Sequence, residues 1–287
     1  MYSLSTTLDC KAINYTQQVL NETQEAKEQG LEALRKWLTI NAHLHAKSDD
    51  YNLIRFLRAT KFNYEQAQKK ISNFYILRGT APEWFHNRNP NLPEIQKLLE
   101  IGVFLPLLER DDKGRMIIFI RVAAHNPYLH KQDDVFKVGM MTLDLALDKM
   151  EDVSVYGVVA IFDMDGVSYG HARQLTTSMI RKAVHSWQDC YPVRVKGLHF
   201  INSPVYINVV LNIFRRFMRQ KMRSRVHVHG YDRKSLHNIV PKELLPEEYG
   251  GSNGKLQHLI GGLYATTKLR WRTTSKHTYQ EISDINH

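Results

Sequence analysis

The sequence predicts an all-helical amino-terminal domain followed by an α/β domain whose mostly parallel sheet is buried on both faces. Three observations predict it. Up to about Arg78, apolar residues recur at helical spacing between well-marked caps. From Met116 onward, short and nearly continuous apolar runs alternate with helical stretches, the pattern of strand–helix–strand units. The chain has 287 residues, 43 % hydrophobic and 24 % charged, enough to build two folded domains.

Taking the elements in order, Gln17 to Leu38 carries Leu31, Leu34 and Leu38 on one helical face. Ser48-Asp49-Asp50 is a helix start, because short oxygen-bearing side chains satisfy free N–H groups and suit the positive end of the helix dipole. The helix that follows, Tyr51 to Thr60, turns Leu53, Ile54, Phe56 and Leu57 inward. Asn63 with a reciprocal Gln66 caps the next, expected to run to Arg78 and stop at Gly79, with Pro82 beyond. A boundary falls between Pro82 and Pro93, and two further helical turns come next. Met116–Val122, Tyr156–Phe162 and Val195–Ile201 read as buried strands and Val226–His229 as a shorter one. Helices are expected at Val135–Met150, Gln174–His185 and Ile207–Met222. The division expected is a helical domain over 1–90, an α/β domain over 91–252 and a tail over 253–287, Thr-rich and basic around Lys268–Arg272 and without an assigned role.

Composition narrows the function. The first ten residues lack the basic and apolar regions of a signal peptide, and no apolar run reaches the roughly 20 residues that span a bilayer. Cys10 and Cys190 form neither a disulfide framework nor a metal spacing. A cytoplasmic protein with reduced thiols is expected. The net charge of +10 points to an anionic partner.

Several motifs carry possible chemistry. Asp163-Met-Asp165-Gly166 at a strand end is the pattern of a haloacid-dehalogenase-type phosphatase, in which the first Asp attacks phosphorus and the second is the acid/base. Ser203, Lys221 and Asp232 would be its remaining parts, but the acidic pair for Mg²⁺ is incomplete, and turn and cap roles for these acids are favoured. His227 and His229 share one strand face, yet no carboxylate or cysteine completes a metal site, so no metal is expected. No nucleotide-binding glycine motif or nucleophile elbow occurs. The helix ending Arg215-Arg216-Phe-Met-Arg219-Gln-Lys221-Met-Arg223-Ser-Arg225 mixes cations with Phe214, Phe217, Met218 and Met222, the signature of a membrane-surface helix. No stacking aromatic set or nucleic-acid signature accompanies it, so a nucleic-acid partner is not expected.

The ordered blocks Leu34-Arg-Lys-Trp-Leu38, Asp49-Asp50-Tyr-Asn-Leu-Ile-Arg55-Phe-Leu-Arg58-Ala-Thr-Lys61-Phe62, Ile161-Phe-Asp163-Met-Asp-Gly166, Cys190-Tyr-Pro-Val-Arg-Val-Lys-Gly-Leu-His-Phe-Ile-Asn202-Ser-Pro204, Arg225-Val-His-Val-His-Gly230 and Leu245-Pro-Glu-Glu-Tyr-Gly-Gly251 resemble the CRAL-TRIO lipid-binding family. The likeness is to the branch of retinaldehyde-binding protein, alpha-tocopherol transfer protein and their insect relatives, over roughly residues 20 to 252. The resemblance implies a non-enzymatic carrier without a cofactor, in which an apolar cavity lies between the sheet and a movable gate helix, here Val205 to Met222. It places Ile207, Val210, Leu211 and Phe214 on the gate's inner face, and Phe136, Met140 and Leu143 on one wall. It adds Val158 and Phe162 from the sheet floor, Leu175, Met179, Ala183 and Trp187 from another helix, and Val195 and Leu198 from the next strand. It implies phosphoinositide binding by Arg194, Lys196, Lys221 and Arg225, and so transient docking of a monomer on anionic membranes. The cargo expected is a retinoid, tocopherol, carotenoid or other isoprenoid lipid. A phosphoinositide-binding trafficking or regulatory module is the alternative. Three departures matter. Thr60 stands where the family often has Arg. Arg216 stands where it often has Pro, which implies a straighter gate. Val193 stands where the yeast inositol-lipid branch has Glu, which argues against inositol-lipid cargo.

Overall fold

The computed structural model describes residues 8–269. Helix α1 (Cys10–Leu20) is capped by Asp9, which accepts from the Ala12 N–H at 2.7 Å, and α2 (Gln24–Ile40) is capped by Thr23. The single helix expected over Gln17–Leu38 is thus two. Asn21 takes a left-handed conformation (φ 63°), which Asn tolerates, and Thr23 restarts the helix. Helix α3 (Asp50–Ala59) starts at Asp49 and α4 (Tyr64–Thr80) at Asn63, as the caps predict, although Asn63 receives no reciprocal bond from Gln66. Helix α4 runs through Gly79 and ends where Pro82 opens α5 (Pro82–Phe85). Leu31, Leu34 and Leu38 pack on Leu53, Ile54, Leu57 and Ile71 to form the core of this helical domain.

After α6 (Pro93–Ile101) comes a strand that the sequence reading missed, β1 (Phe104–Arg110). It is an edge strand, where Pro106 is tolerated, and it pairs antiparallel with β2 (Met116–Arg121). Then follow α7 (Gln132–Lys149), α8 (Asp152–Tyr156), β3 (Val158–Asp163), α9 (Tyr169–Gln174), α10 (Thr177–His185), a π turn at Ser186–Cys190 and β4 (Val195–Ile201). The chain continues through α11 (Ile207–Phe217), α12 (Gln220–Arg223), β5 (Val226–Gly230), α13 (Arg233–His237) and a last helix, α14, over 256–269. The sheet order is β1-β2-β3-β4-β5, parallel from β2 onward. Strand β3 starts two residues later than expected, because Tyr156 closes α8. Gly157 then turns the chain at φ 87°, where a Cβ would lie 2.2 Å from the Arg194 carbonyl.

The sheet separates two cores. Val158, Ala160 and Phe162 face α7, α10 and α11; Val159 and Ile161 face Leu236, Val240, Leu245, Leu256 and Ile260. Part of the expected tail is therefore core, whereas 270–272 of its basic stretch lie outside the described residues.

Candidate functional site

Between the sheet and α11 lies a cavity of about 580 Å³. A narrow chamber of about 70 Å³ adjoins it and shares Phe104, Ile120, Phe136, Phe162, Trp187 and Leu198 with it. Among the described residues no Lys, Arg, Asp or Glu lines either chamber; the polar lining residues of the larger are His125, Gln132, Ser168, Tyr169, His171 and Tyr206. Tyr169 (79 % exposed) and Val209 (68 % exposed) line the cavity and also face solvent, so the mouth lies between the starts of α9 and α11.

The candidate pocket residues fall as follows. Ile207, Val210, Leu211 and Phe214 turn from α11 into the large chamber, with Leu175 beside them. Met140, Leu143, Val158 and Val195 line the narrow chamber, and Phe136, Phe162, Trp187 and Leu198 line both. Met179 and Ala183 line neither. The helix expected over Gln174–His185 breaks at Leu175, and Thr176 caps α10, which packs behind α11 so that Ala183 is fully buried between helices. The sequence reading missed the polar wall, because His125 and His171 stand in the β2–α7 loop and on α9, stretches without a strand or gate pattern.

The gate is not a straight helix over Val205–Met222. It ends at Phe217, Met218 is extended (φ −82°, ψ 140°), and α12 follows. The break needs no proline. The Arg219 N–H donates to Gln188 Oε1 at 2.7 Å and its guanidinium meets Asp189 Oδ1 at 2.5 Å, which pins the chain there to the π turn.

Near this end lies the cationic cluster. Arg115, Arg194 and Arg225 immediately precede the cavity domain's parallel strands β2, β4 and β5, so all three stand at the amino-terminal edge of the sheet. Burial, then the fields of Arg194, Arg225, Lys61 and Arg115, lower the Lys196 pKa to about 8; none of these neighbours is negative. Arg194 donates to the Val155 carbonyl and Arg225 to the Val195 carbonyl, which fixes both stems. Lys221 is exposed on α12, and Thr60 hydrogen-bonds back to Phe56 within its own helix. Lys61 and Arg115 were not read from sequence as members, and distance along the chain left no local signal.

The strand-end acids are engaged otherwise. Asp163 Oδ1 accepts from Asn202 Nδ2 at 2.9 Å and from the Asp165 N–H at 3.1 Å, and Oδ2 accepts from the Tyr249 hydroxyl at 2.6 Å. Ser203 Oγ donates to the Phe200 carbonyl, and Asp232 caps α13. Lys221, before β5, lies at the opposite edge of the parallel strands from Asp163. His227 and His229 cluster with His199, whose Nδ1 is 3.0 Å from His229 Nε2, and no carboxylate or cysteine completes a metal-holding group among the described residues. No helix among the described residues is long and apolar enough to cross a membrane.

Residues 102–251 match the CRAL/TRIO domain model, and residues 23–95 match the Pinta-like UBA domain. The chain belongs to the CRAL/TRIO family. Clavesin-2 of Rattus norvegicus is 29 % identical over 268 residues, 93 % of this chain and 79 % of that protein. The alpha-tocopherol transfer protein-like protein of Pongo abelii is 31 % identical over 83 % of this chain and 69 % of its own length. The fold is that of the crystal structure of Sfh5 (TM-score 0.55, 15 % identity, 80 % of this chain and 88 % of that one). CRAL/TRIO members are lipid-binding transfer proteins, and the uncharged cavity under α11 lies wholly within the matched segment.

Proposed function

We propose that this CRAL/TRIO protein shelters one uncharged hydrophobic molecule and transfers it at anionic membranes, without catalysing a reaction on it. The cavity carries the reading: about 580 Å³ falls in the roughly 300–1,000 Å³ range of small-molecule sites, and its wall holds no charge. Each CH₂ buried there contributes about 0.8 kcal/mol, so a retinoid, tocopherol, carotenoid or similar isoprenoid binds tightly through area alone. The Pongo abelii relative's name points to the tocopherol class.

Docking is assigned to Arg194, Lys196, Lys221 and Arg225, with Lys61 and the Asp111-paired Arg115 beside them, because every charged group acting on Lys196 is a cation and such clusters favour phosphate groups. Phosphoinositide headgroups fit this chemistry. The cluster stands near the hinge of α11, so headgroup binding there favours gate opening. The protein works as a cytoplasmic monomer that visits the membrane. A phosphoinositide-dependent regulatory role with secondary cargo is the second reading, and the same cluster favours it.

Native mass spectrometry of gently purified protein tests the carrier: about one apolar molecule per chain is expected, and chains that are uniformly empty before and after incubation with lipid extract overturn it. Sedimentation with vesicles containing phosphatidylinositol bisphosphate tests the docking. Arg194→Glu with Lys221→Glu should remove binding to these vesicles, whereas equal binding of the unaltered protein to neutral vesicles refutes the assignment.

A further inference from the structure

The cavity wall carries no charge, yet one of its polar side chains is left without a partner. His125 stands in the loop between β2 and α7, is 3 % exposed and lines the larger chamber. Neither ring nitrogen has a hydrogen-bond partner among the described residues; the Val122 carbonyl exerts a weak pull on the ring but completes no well-formed bond. A buried donor and acceptor left unmade cost free energy that a ligand recovers by pairing with them.

The ring is aimed by its backbone. His171 Nε2 donates to the His125 carbonyl at 3.1 Å. Its Nδ1 accepts from the Ser168 N–H at 3.2 Å, and a backbone N–H can only donate, so these two bonds fix the His171 tautomer. Gln174 Nε2 donates to the carbonyls of Pro127 and His130, and Gln174 Oε1 accepts from the Gln132 N–H at 2.7 Å. The loop is therefore tied to α9 at His125 itself and beyond it, at Pro127, His130 and Gln132. Burial, then the nearby rings of His171 and His130, lower the His125 pKa to about 4, so the ring is neutral at pH 7 and offers one donor and one acceptor.

We propose that His125 anchors the uncharged oxygen head of the cargo, a hydroxyl or carbonyl at one end of an otherwise apolar molecule. The inference rests on the carrier reading above and names the cargo's polar end. A carboxylate or phosphate head is disfavoured, because no Lys or Arg lines the chambers to balance it. The apolar tail then runs past Phe162 and Trp187 into the narrow chamber. The rival anchor is Thr142, whose Oγ1 is also buried without a partner in that chamber.

The test is a cycle of two ligands against two proteins. Geranylgeraniol and the hydrocarbon lacking its hydroxyl compete with Nile red for the delipidated full-length protein and for His125→Phe. Comparing proteins for each ligand cancels the difference in hydration between the ligands. His125→Phe should weaken the alcohol about tenfold (about 1.4 kcal/mol) and leave the hydrocarbon within about twofold. His125→Gln, which keeps a donor and an acceptor, should retain most of the alcohol's affinity and guards against misfolding of the Phe variant. At pH 7.5 geranylgeranoic acid should bind the unaltered protein at least about tenfold more weakly than the alcohol. The proposal is overturned if both ligands lose affinity by the same factor, if Thr142→Val instead carries the selective loss, or if the acid binds as well as the alcohol. If none of the three displaces the probe, the carrier reading fails rather than the anchor alone.

Discussion

Replacing Arg58 with Met tests whether one buried cation locks the helical domain to the cavity domain. The Arg58 side chain is 1 % exposed. Its Nε and Nη2 clasp Glu22 at 2.7 and 2.8 Å, and its Nη1 donates to Glu151 at 2.8 Å and to Ser154 Oγ at 3.2 Å. Glu22 lies between α1 and α2, and Glu151 and Ser154 belong to the turn and helix α8 that lead into β3, a floor strand of the cavity. Burial opposes the charge, but the bonds to Glu22 and Glu151 outweigh it and raise the guanidinium's pKa. Methionine keeps much of the volume and removes every donor, which takes the Arg58 counter-charge away from two carboxylates of 9 % and 5 % exposure. Breaking a buried pair in this way costs about 3–5 kcal/mol, against about 0–1 kcal/mol for an exposed pair. Urea unfolding followed by tryptophan fluorescence should show that loss, and a melting temperature lower by on the order of 10 °C. Adding Glu22→Gln and Glu151→Gln should recover part of it, because neutral amides can pair with each other. A loss below about 1 kcal/mol would refute the reasoning, since the triad would then behave as a surface ion pair.

Two further outcomes follow from the titrating groups. With its pKa near 8, Lys196 should react with an acylating reagent at pH 8 faster than exposed lysines do, and inositol hexakisphosphate should slow that reaction several-fold by restoring the charged form. Peptide mass spectrometry reads this, and labelling indifferent to the polyanion would count against the cationic cluster. His125 and His199 both have pKa values lowered to about 4, each first by burial and then by neighbouring histidines. Unfolded histidines titrate near 6.5, so between pH 6.5 and 4 the unfolded chain binds more protons. Their stabilising contribution is therefore complete above pH 6.5 and is lost as the pH falls through that window. Urea midpoints should drop from pH 7 to pH 4.5, His199→Gln should flatten the decline, and a flat profile in the unaltered protein would contradict the assignment.

The elements legible in the sequence were those with one dominant cause. Strands β2 and β4 came out within about a residue because nearly continuous apolar runs between turns have few other uses, and β5 did so through its alternation of Val and His. Asp49 and Asn63 marked their helices because a cap is a local device. What failed was decided by competition. Pro106 argues against a strand, and only its place at the sheet edge admits β1. The break at Leu175–Thr176 was hidden because Gln174 through His185 keeps helical composition on both sides of it. The cationic cluster was half legible: the family resemblance implied Arg194, Lys196, Lys221 and Arg225, of which Arg194 and Arg225 act on Lys196, while Lys61 and Arg115 join it through tertiary structure.

The cavity itself shows where sequence periodicity stops. In β3, Val158, Ala160 and Phe162 alternate with Val159 and Ile161, and both sets are equally apolar. One set meets a filled core under α13 and α14; the other borders hollow space. Periods of 2.0 and 3.6 state which way a side chain points, not how far off the facing layer stands. That distance is set by α11, whose extensive backbone neighbour among the described residues is α10 rather than any strand. One end of α11 is held by Arg219 on Gln188 and Asp189 and by Arg181 over the Phe217 ring; the other exposes Val209 at the mouth and is tied by the Tyr206 hydroxyl, which donates to the Val167 carbonyl at 3.2 Å. A helix tied at its two ends and standing off the sheet leaves a void that its own amphipathic pattern, Ile207, Leu211 and Phe214, reads as an ordinary core face. The hollow is therefore a property of how α11 is anchored: Arg181, Gln188, Asp189 and Arg219 hold it from outside the cavity wall, and Tyr206 holds it from within.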